Sequence, residues 1–97
     1  MHATMRQYTG IAPAAFETLM SRRVDVETLI RQTPGFLQYD LVRTKDGMTS
    51  FTVCTDQAGT DESTRLVAEW ITKNLPALVP SKPTITAGEA VFHFAAK

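Results

Sequence analysis

The chain has 97 residues, of which 43% are hydrophobic and 21% are charged, and ten basic and ten acidic side chains leave no net formal charge. This length suits one domain, residues 1–97, with a single modest core. The even charge balance argues against nucleic-acid binding, which favours a basic stripe. No stretch approaches the roughly 18 apolar residues of a membrane-spanning helix. A single cysteine excludes an internal disulfide.

The N-terminal segment is predicted to form the first strand. Polar and apolar residues alternate from His2 to Tyr8, which is the period of a strand with two different faces. The first residues contain no apolar stretch of the kind found in signal peptides. Together with the lone cysteine, this predicts a cytoplasmic protein.

Two later segments have apolar residues at helical spacing. The first begins near Pro13 and runs to about Gln32, and the polar stretch Ser21–Asp25 interrupts its stripe and indicates a bend. The second begins after Asp56, a natural N-cap, and ends before Pro76. The apolar stripe of this second helix comprises Leu66, Val67, Trp70 and Ile71.

Three further strands are predicted around these helices. Residues 36–44 and 48–55 form a hairpin through Asp46-Gly47, and the last strand covers Glu89–Phe94. The segment from Leu75 to Pro83 contains three prolines and is predicted to be a long loop that acts as a lid or contacts a partner.

The resulting order, β-α-β-β-α-β, predicts an α+β ferredoxin-like fold with four antiparallel strands and two helices on one face. Alternation divides the strand residues into an apolar set, expected to face the helices, and a polar set, expected on the open face. The apolar set is Ala3, Met5, Phe51, Val53, Ala90, Phe92 and Phe94. The polar set includes Arg6, Tyr8, Thr52, Glu89 and His93.

The second strand is apolar on both sides, with Phe36 and Val42 on one side and Leu37, Tyr39 and Leu41 on the other. One layer of helices cannot cover both sides, and an exposed apolar patch usually marks an interface. We therefore predict a homodimer that joins through this strand and the polar face of the sheet.

Three short segments resemble the antibiotic-biosynthesis-monooxygenase-like family: Pro34-Gly35-Phe36 with Tyr39, Asp56-Gln57-Ala58, and Ala68-Glu69-Trp70. The resemblance covers nearly the whole chain and implies a small ferredoxin-like subunit that pairs into a dimeric α/β barrel. It also implies one of several activities. Some members oxidise polyketide quinol precursors without a metal or an added cofactor, some degrade haem, and many have no known reaction.

Particular residues connect the chain to those branches. The haem-degrading branch has an Asn on the first strand, a Trp on the second helix and a His that ligates iron; Gln7 and Trp70 lie near the first two positions, and neither predicted helix contains a His. From the quinol-oxidising branch only Trp70 carries over. Two histidines without a third ligand are a weak metal signal. We therefore predict no metal and no cofactor.

Two polar residues are the candidate catalytic groups. Arg6 is either an anion anchor or one half of a structural ion pair with Glu89, and His93 is the candidate general base. Five residues are candidates for substrate binding: Trp70, Tyr8, Tyr39, Thr52 and Glu89. Trp70 stacks on a ligand or packs in the core, Tyr8 and Tyr39 donate to a ligand oxygen or close the dimer seam, and Thr52 lies on the same polar set.

Two functional hypotheses follow. In the first, the protein is a cofactor-independent monooxygenase that acts on a small aromatic or quinol-type molecule. In the second, it is a non-catalytic dimer that binds a small molecule or a protein through the same face. A cavity that joins Arg6, His93 and Trp70 would favour the first hypothesis, and a filled or open sheet face would favour the second.

Overall fold

A computed structural model describes residues 1–78 and 82–96. The four strands form one antiparallel sheet in the order β2-β3-β1-β4, which confirms the predicted ferredoxin-like fold. None of the helices in these two ranges is both long enough and apolar enough to cross a membrane. The elements in chain order are β1 (His2–Thr9), α1 (Pro13–Ser21), α2 (Arg23–Arg31), β2 (Phe36–Thr44), β3 (Gly47–Cys54), α3 (Gln57–Asn74), a 3-10 turn (Pro76–Leu78) and β4 (Thr84–Glu89).

The predicted bend in the first helical segment is confirmed. Arg22 has φ −108° and ψ 16°, so its backbone leaves the helical conformation and separates α1 from α2. Pro13 lies in the first turn of α1, where its missing N–H costs nothing. Each helix buries one residue of the predicted stripe, Leu19 in α1 and Ile30 in α2.

The predicted hairpin and the predicted Asp56 cap are confirmed, although the turn of the hairpin lies one residue earlier than the predicted Asp46-Gly47. Residues 45 and 46 form the turn between β2 and β3, and Gly47 is the first residue of β3. A side chain at Gly47 would collide with the backbone of Tyr8 on the neighbouring strand, so glycine is required there. Asp56 caps α3, since its Oδ1 accepts a hydrogen bond of 3.2 Å from the N–H of Gly59.

The prediction of the last strand is wrong. β4 covers Thr84–Glu89, and residues 90–96 lie beyond it. Pairing with β1 sets this limit: His2, the first residue of β1, lies opposite Glu89, and the last backbone bond joins the Ala90 N–H to the Met1 carbonyl at 2.9 Å. The segment beyond β4 is solvent-exposed, to 84% at Phe92. The predicted loop begins with the 3-10 turn, and its residues 79–81 lie outside the described residues.

The prediction of the two sheet faces is also wrong. The polar set of β1, including Arg6 and Tyr8, is buried beneath the helices, whereas Met5 is 38% exposed on the other face. On β3, Thr52 is fully buried and Phe51 is 36% exposed. The helices therefore cover the polar residues of β1 and β3, and the apolar residues of these two strands lie on the open face.

Helix α3 explains this reversal, because its sheet-facing side is small and polar. Thr60 and Ser63 are buried there, and Gly59 lies directly over the end of β3. A Cβ at Gly59 would lie 2.8 Å from the Cβ of Cys54, closer than real Cβ atoms approach. A helix that approaches so closely leaves no room for large apolar side chains on β3, and its hydroxyls match polar partners instead.

A β-bulge at residue 37 changes the alternation along β2. Phe36 pairs with Cys54, and pairing resumes at Gln38 opposite Val53. Phe36 consequently joins Tyr39 on the helix-covered side, which corrects the predicted grouping of Phe36 with Val42.

Candidate functional site

A cavity of about 440 Å³ lies between the helix-covered side of the sheet and the helices. This volume lies within the range of roughly 300–1,000 Å³ that is usual for small-molecule sites. The helices contribute an apolar wall, which includes Phe16, Leu19, Met20, Val26, Val67 and Trp70. Trp70 also packs against the main core, which confirms one of its two predicted roles, and its stacking on a ligand stays a prediction.

The sheet contributes the polar part of the cavity. Tyr8 on β1, Tyr39 on β2 and Ser50 on β3 all line it. Tyr39 lies opposite Thr52, and Ser50 lies opposite Arg6, so the strand register brings these side chains to one area of the sheet. A ligand in this cavity would meet hydroxyl groups on one side and hydrocarbon on the other.

Arg6 lies directly behind this hydroxyl surface and is only 1% exposed. Its Nε donates to Ser50 Oγ at 3.2 Å, and its Nη2 donates to Thr52 Oγ1 at 2.9 Å. On the helix side, Nη1 donates to Ser63 Oγ at 3.3 Å and to Thr64 Oγ1 at 2.9 Å. Four neutral hydroxyl oxygens therefore hold the guanidinium.

The hydroxyls of Ser63 and Thr64 donate in turn to the carbonyl of Thr60, at 2.8 and 3.2 Å. Their lone pairs consequently point at Arg6. Because Ser50 Oγ accepts from Arg6, its own proton can be donated to another acceptor in the cavity, either the Tyr39 oxygen or a ligand. The positive charge of Arg6 makes that proton a better donor than the proton of an isolated serine.

No carboxylate of the described residues lies within ion-pair distance of Arg6. The predicted partner Glu89 lies opposite His2 instead, and Arg6 lies opposite Ile85, so the predicted ion pair is wrong. A buried charge without a counterion is costly. Burial accordingly lowers the pKa of Arg6, while the nearby Tyr8, Tyr39 and Cys54 act in the opposite direction.

The two cavity tyrosines have raised pKa values. Burial is the main cause for both Tyr8 and Tyr39, and the charge of Arg6 partly offsets it. An interaction with the Ser50 side chain also lowers the pKa of Tyr39. Both phenols are therefore protonated at neutral pH and act as hydrogen-bond donors rather than as bases.

Four charged residues line the cavity and are solvent-exposed, so they form its rim: Arg23, Glu27, Arg31 and Arg43. Arg31 and Glu27 form an ion pair of 2.8 Å. The guanidinium of Arg43 stacks on Phe16, with its central carbon 4.5 Å from the ring centroid.

The structure brings only some of the predicted site residues together. Tyr8, Tyr39 and Trp70 line one cavity, and Arg6 and Thr52 lie behind its sheet wall. Glu89 lies at the exposed end of β4, and His93 lies in the exposed segment beyond that strand. The predicted placement of Arg6 and His93 on one open face of the sheet is therefore wrong.

Sequence reasoning missed Ser50, Ser63 and Thr64 as parts of this site. A signal for the two helical residues was present, since they follow Gly59 and Thr60 by one turn and continue a stripe of small polar residues along α3. Ser50 shares the alternation of Thr52, and only the strand register shows that it lies beside Arg6.

The histidines do not form a metal centre in the described parts of the chain. No group of three His, Cys, Asp or Glu side chains comes together there. His2 Nδ1 instead lies 2.6 Å from Thr60 Oγ1. Thr60 Oγ1 also lies 3.1 Å from the carbonyl oxygen of Gln57, so His2 is part of a local hydrogen-bond network at the start of α3.

Comparison with known proteins supports the fold. No protein-family model matches the chain, and no curated protein matches it in sequence. Solved structures match along nearly its whole length. A variant of MhuD with two manganese protoporphyrin IX molecules bound per active site gives a TM-score of 0.75 at 15% identity, covering 99% of this chain and 100% of that one.

Two further structures are similar. A protein described as an antibiotic biosynthesis monooxygenase gives a TM-score of 0.63 at 21% identity, over 94% of this chain and 99% of that one. A dimeric ferredoxin-like protein from an uncultured marine organism gives 0.68 at 9% identity, over 98% of both chains. At these identities the likeness establishes the fold, and the resemblance to antibiotic-biosynthesis-monooxygenase-like proteins is confirmed at that level.

Proposed function

We propose that the cavity binds a small aromatic molecule and that the protein oxidises this molecule with dioxygen, without a metal or an organic cofactor. The observation that carries the proposal is the buried cation of Arg6, which lies behind the hydroxyl surface of the cavity and pairs with no carboxylate of the described residues. Aromatic walls and a few convergent polar groups are typical of a ligand site. The fold, which this chain shares with a monooxygenase, supports the choice of reaction.

The substrate would enter with its ring between Trp70 and the sheet and with a phenolic oxygen at the sheet wall. Ser50 and Tyr39 would donate to that oxygen. As the phenol ionises, these bonds strengthen, and the charge of Arg6 stabilises the developing phenolate through Ser50. Arg6 is thus a positioning residue, and Ser50 and Tyr39 are the candidate catalytic residues.

The electron-rich anion would then react directly with dioxygen. At a ring carbon that carries two hydrogens, dioxygen supplies one oxygen atom to a new carbonyl group. The other oxygen atom leaves as water with the two hydrogens. The substrate provides all four electrons, so this chemistry needs no reductant.

Deprotonation depends on the acidity of the substrate, because the cavity offers no strong base. Glu27 is the one carboxylate among the described lining residues, it lies at the exposed rim, and Arg31 neutralises it. Both tyrosines are protonated. The proposed enzyme therefore selects molecules that ionise readily once their anion is stabilised.

This lack of a base also supports a second candidate, a protein that binds the same class of molecule without converting it. His93, the base expected from the sequence, lies beyond the last strand and outside the cavity wall. Both candidate functions use the same binding site. They differ only in whether the bound molecule is oxidised.

Oxygen consumption distinguishes the two candidates. Dithranol, an acidic anthrone, is mixed with the protein in an oxygen electrode, and the rate is compared with its spontaneous oxidation. We expect a faster rate and a quinone product. Ser50→Ala should lower the enzymatic rate about 100-fold, as loss of an oxyanion donor typically does. Thr49→Ala, one residue away on the open face, is the matched control and should retain the rate.

An unchanged rate of oxygen uptake with wild-type protein, combined with a ligand-induced shift of the Trp70 signal in NMR, would establish the non-catalytic binder. Equal rates for Ser50→Ala and Thr49→Ala would remove the proposed role of Ser50.

We further propose that the protein is a homodimer that associates through the open face of the sheet. Met5, Val42 and Phe51 are exposed there, and such a contiguous apolar surface usually marks an interface. A structurally similar protein is dimeric. A stable interface should bury at least about 1,000 Å² in total. Because the cavity lies on the opposite side of the sheet, both copies would keep a complete site.

A further inference from the structure

We propose that the ligand carries an anionic group in addition to its aromatic body, and that this group binds at the rim beside Arg43 and Arg23. The inference rests on the proposed function of the cavity and narrows the class of its ligand to aromatic acids. Its basis is the charge distribution around the opening rather than the chemistry at the sheet wall.

The rim has an excess of positive charge. Three of its four charged residues are arginines, and its single glutamate, Glu27, pairs with Arg31 at 2.8 Å. Neither Arg23 nor Arg43 has an ion-pair partner among the described residues. Arg23 instead donates to the carbonyl of Met20 at 3.1 Å. The opening of the cavity therefore has two cations that no carboxylate of the described chain neutralises.

Arg43 is already oriented for an anion. Its guanidinium lies over the ring of Phe16, 4.5 Å from the ring centroid, and the two residues line the same cavity. A cation over an aromatic ring uses none of its N–H groups in a conventional hydrogen bond, so the donors of Arg43 can still bind a carboxylate. A planar fork of donors suits two parallel hydrogen bonds to a carboxylate. The stacking also lowers the entropy that Arg43 would lose when it binds.

The apolar walls restrict where a charged group can bind. Between the rim and the sheet wall the lining is mainly hydrocarbon, including Leu19, Met20, Val26 and Trp70. A carboxylate buried there would lose its hydration without gaining a partner. The acid group therefore remains at the rim, the ring fills the apolar region, and a phenolic oxygen reaches Ser50 and Tyr39.

A matched pair of probes tests this inference. Naphthoate and naphthamide share ring and shape and differ in charge. Trp70 is the single tryptophan of the chain and lines the cavity, so its indole N–H signal in a nitrogen-edited NMR spectrum reports occupancy. We expect naphthoate to bind about tenfold more tightly than naphthamide at low salt, and the difference should shrink as salt screens the rim.

Variants then locate the effect. Arg43→Gln should weaken naphthoate binding about three- to tenfold and leave naphthamide binding unchanged, because only the anion uses the charge. Arg65→Gln is the matched control: it removes the same charge from the exposed face of α3, where Arg65 pairs with Glu62 and Glu69 and does not line the cavity. This variant should bind both probes like wild type.

The outcomes separate this inference from the proposed function. Equal affinities for the two probes, or an equal loss of both in Arg43→Gln, would overturn the anionic group and leave an aromatic site intact. No shift of the Trp70 signal with either probe would overturn the ligand cavity itself and, with it, this inference. Selective binding of naphthoate, together with a rate of dithranol oxidation no faster than the spontaneous one, would support the inference and refute the monooxygenase.

Discussion

The two faces of the central sheet are the reverse of what the alternation of residues suggests: the face under the helices is polar, and the open face is apolar. The face under the helices carries Arg6, Ser50 and Thr52, all buried and hydrogen-bonded, whereas the open face carries Met5 and Phe51, which are more than a third exposed. A buried polar layer needs an exact set of hydrogen-bond partners, while an exposed apolar layer needs only a cover. The covered face therefore suits a specific site, and the open face suits association.

The largest difference between the faces should appear when Arg6 is truncated. Arg6→Ala removes a large buried side chain and leaves four hydroxyls without their donor, so we expect a loss of about 3 kcal/mol in the free energy of unfolding. Arg6→Met leaves the same four hydroxyls without a donor, but it keeps most of the volume and removes a charge that no carboxylate of the described residues neutralises, so it should lose less stability than Arg6→Ala. Urea unfolding measures both. A loss below about 1 kcal/mol for Arg6→Ala would contradict the assigned role of the polar layer.

A smaller effect is expected where α3 approaches the sheet. Gly59→Ala places a Cβ against Cys54 and the Pro34 carbonyl and should cost about 2 kcal/mol through overpacking. Without that contact, replacing glycine by alanine in a helix would stabilise the protein by about 1 kcal/mol. The sign of the measured change in the free energy of unfolding therefore shows whether the close contact exists. Gly88→Ala is the control, because its Cβ would meet nothing within 4 Å and should change stability by less than about 0.5 kcal/mol. A stabilising Gly59→Ala would show that the helix is not held so closely.

The sequence predicted the local features of the fold because each depends on nearby residues. The turn at residues 45 and 46, the Asp56 cap and the break at Arg22 follow from hydrogen bonds and backbone preferences within a few positions. Alternation also grouped Arg6 with Tyr8 correctly. Alternation alone does not show which of the two sets of strand residues the helices cover. That choice depends on the small polar residues by which α3 contacts the sheet.

The last strand and the site were less predictable for a related reason. Residues 89–94 alternate more clearly than Thr84–Glu89, but β4 is defined by its pairing with β1, which ends opposite Glu89. The same long-range register brings Ser50 beside Arg6. His93 was placed with Arg6 only through the mistaken strand. A single sequence does not show how two distant strands are aligned, so it could not show which of their side chains lie next to each other.

A pH dependence should distinguish the covered face from the open one with a still smaller effect. Burial, together with the charge of Asp56, raises the pKa of Cys54 above its ordinary value of 9.0. Above that pH the unfolded thiol loses its proton and the folded thiol keeps it, so stability is retained below pH 9.0 and falls as the pH rises toward the folded pKa. One proton gives a slope of at most about 1.4 kcal/mol per pH unit.

Urea unfolding of wild type and Cys54→Ala between about pH 8 and about pH 10 measures this slope. The variant should lose the part of the slope that begins near pH 9.0. Tyr8 and Tyr39, whose pKa values are raised above 10.0, add their own decline only at higher pH and should do so in both proteins. Identical slopes in the two proteins near pH 9.0 would show that the thiol is not protected from ionisation.

The smallest effect on the folded subunit is expected on the open face, where substitution should separate association from folding. Phe51→Glu places a carboxylate among Met5 and Val42 and directly opposite Asp40. It should abolish the proposed homodimer, since two neighbouring carboxylates buried in such an interface have no cationic partner among these residues. The folded subunit should change by less than about 1 kcal/mol, because Phe51 is not part of the buried core cluster or of the residues packed against it. Sedimentation should show a wild-type dimer and a monomeric variant. The unfolding midpoint should rise with protein concentration only in wild type. Thr72→Glu, on the exposed side of α3, is the control and should remain dimeric. A wild-type protein that sediments as a monomer at about 100 µM would refute association through this face, because an interface of about 1,000 Å² is expected to be stable at that concentration.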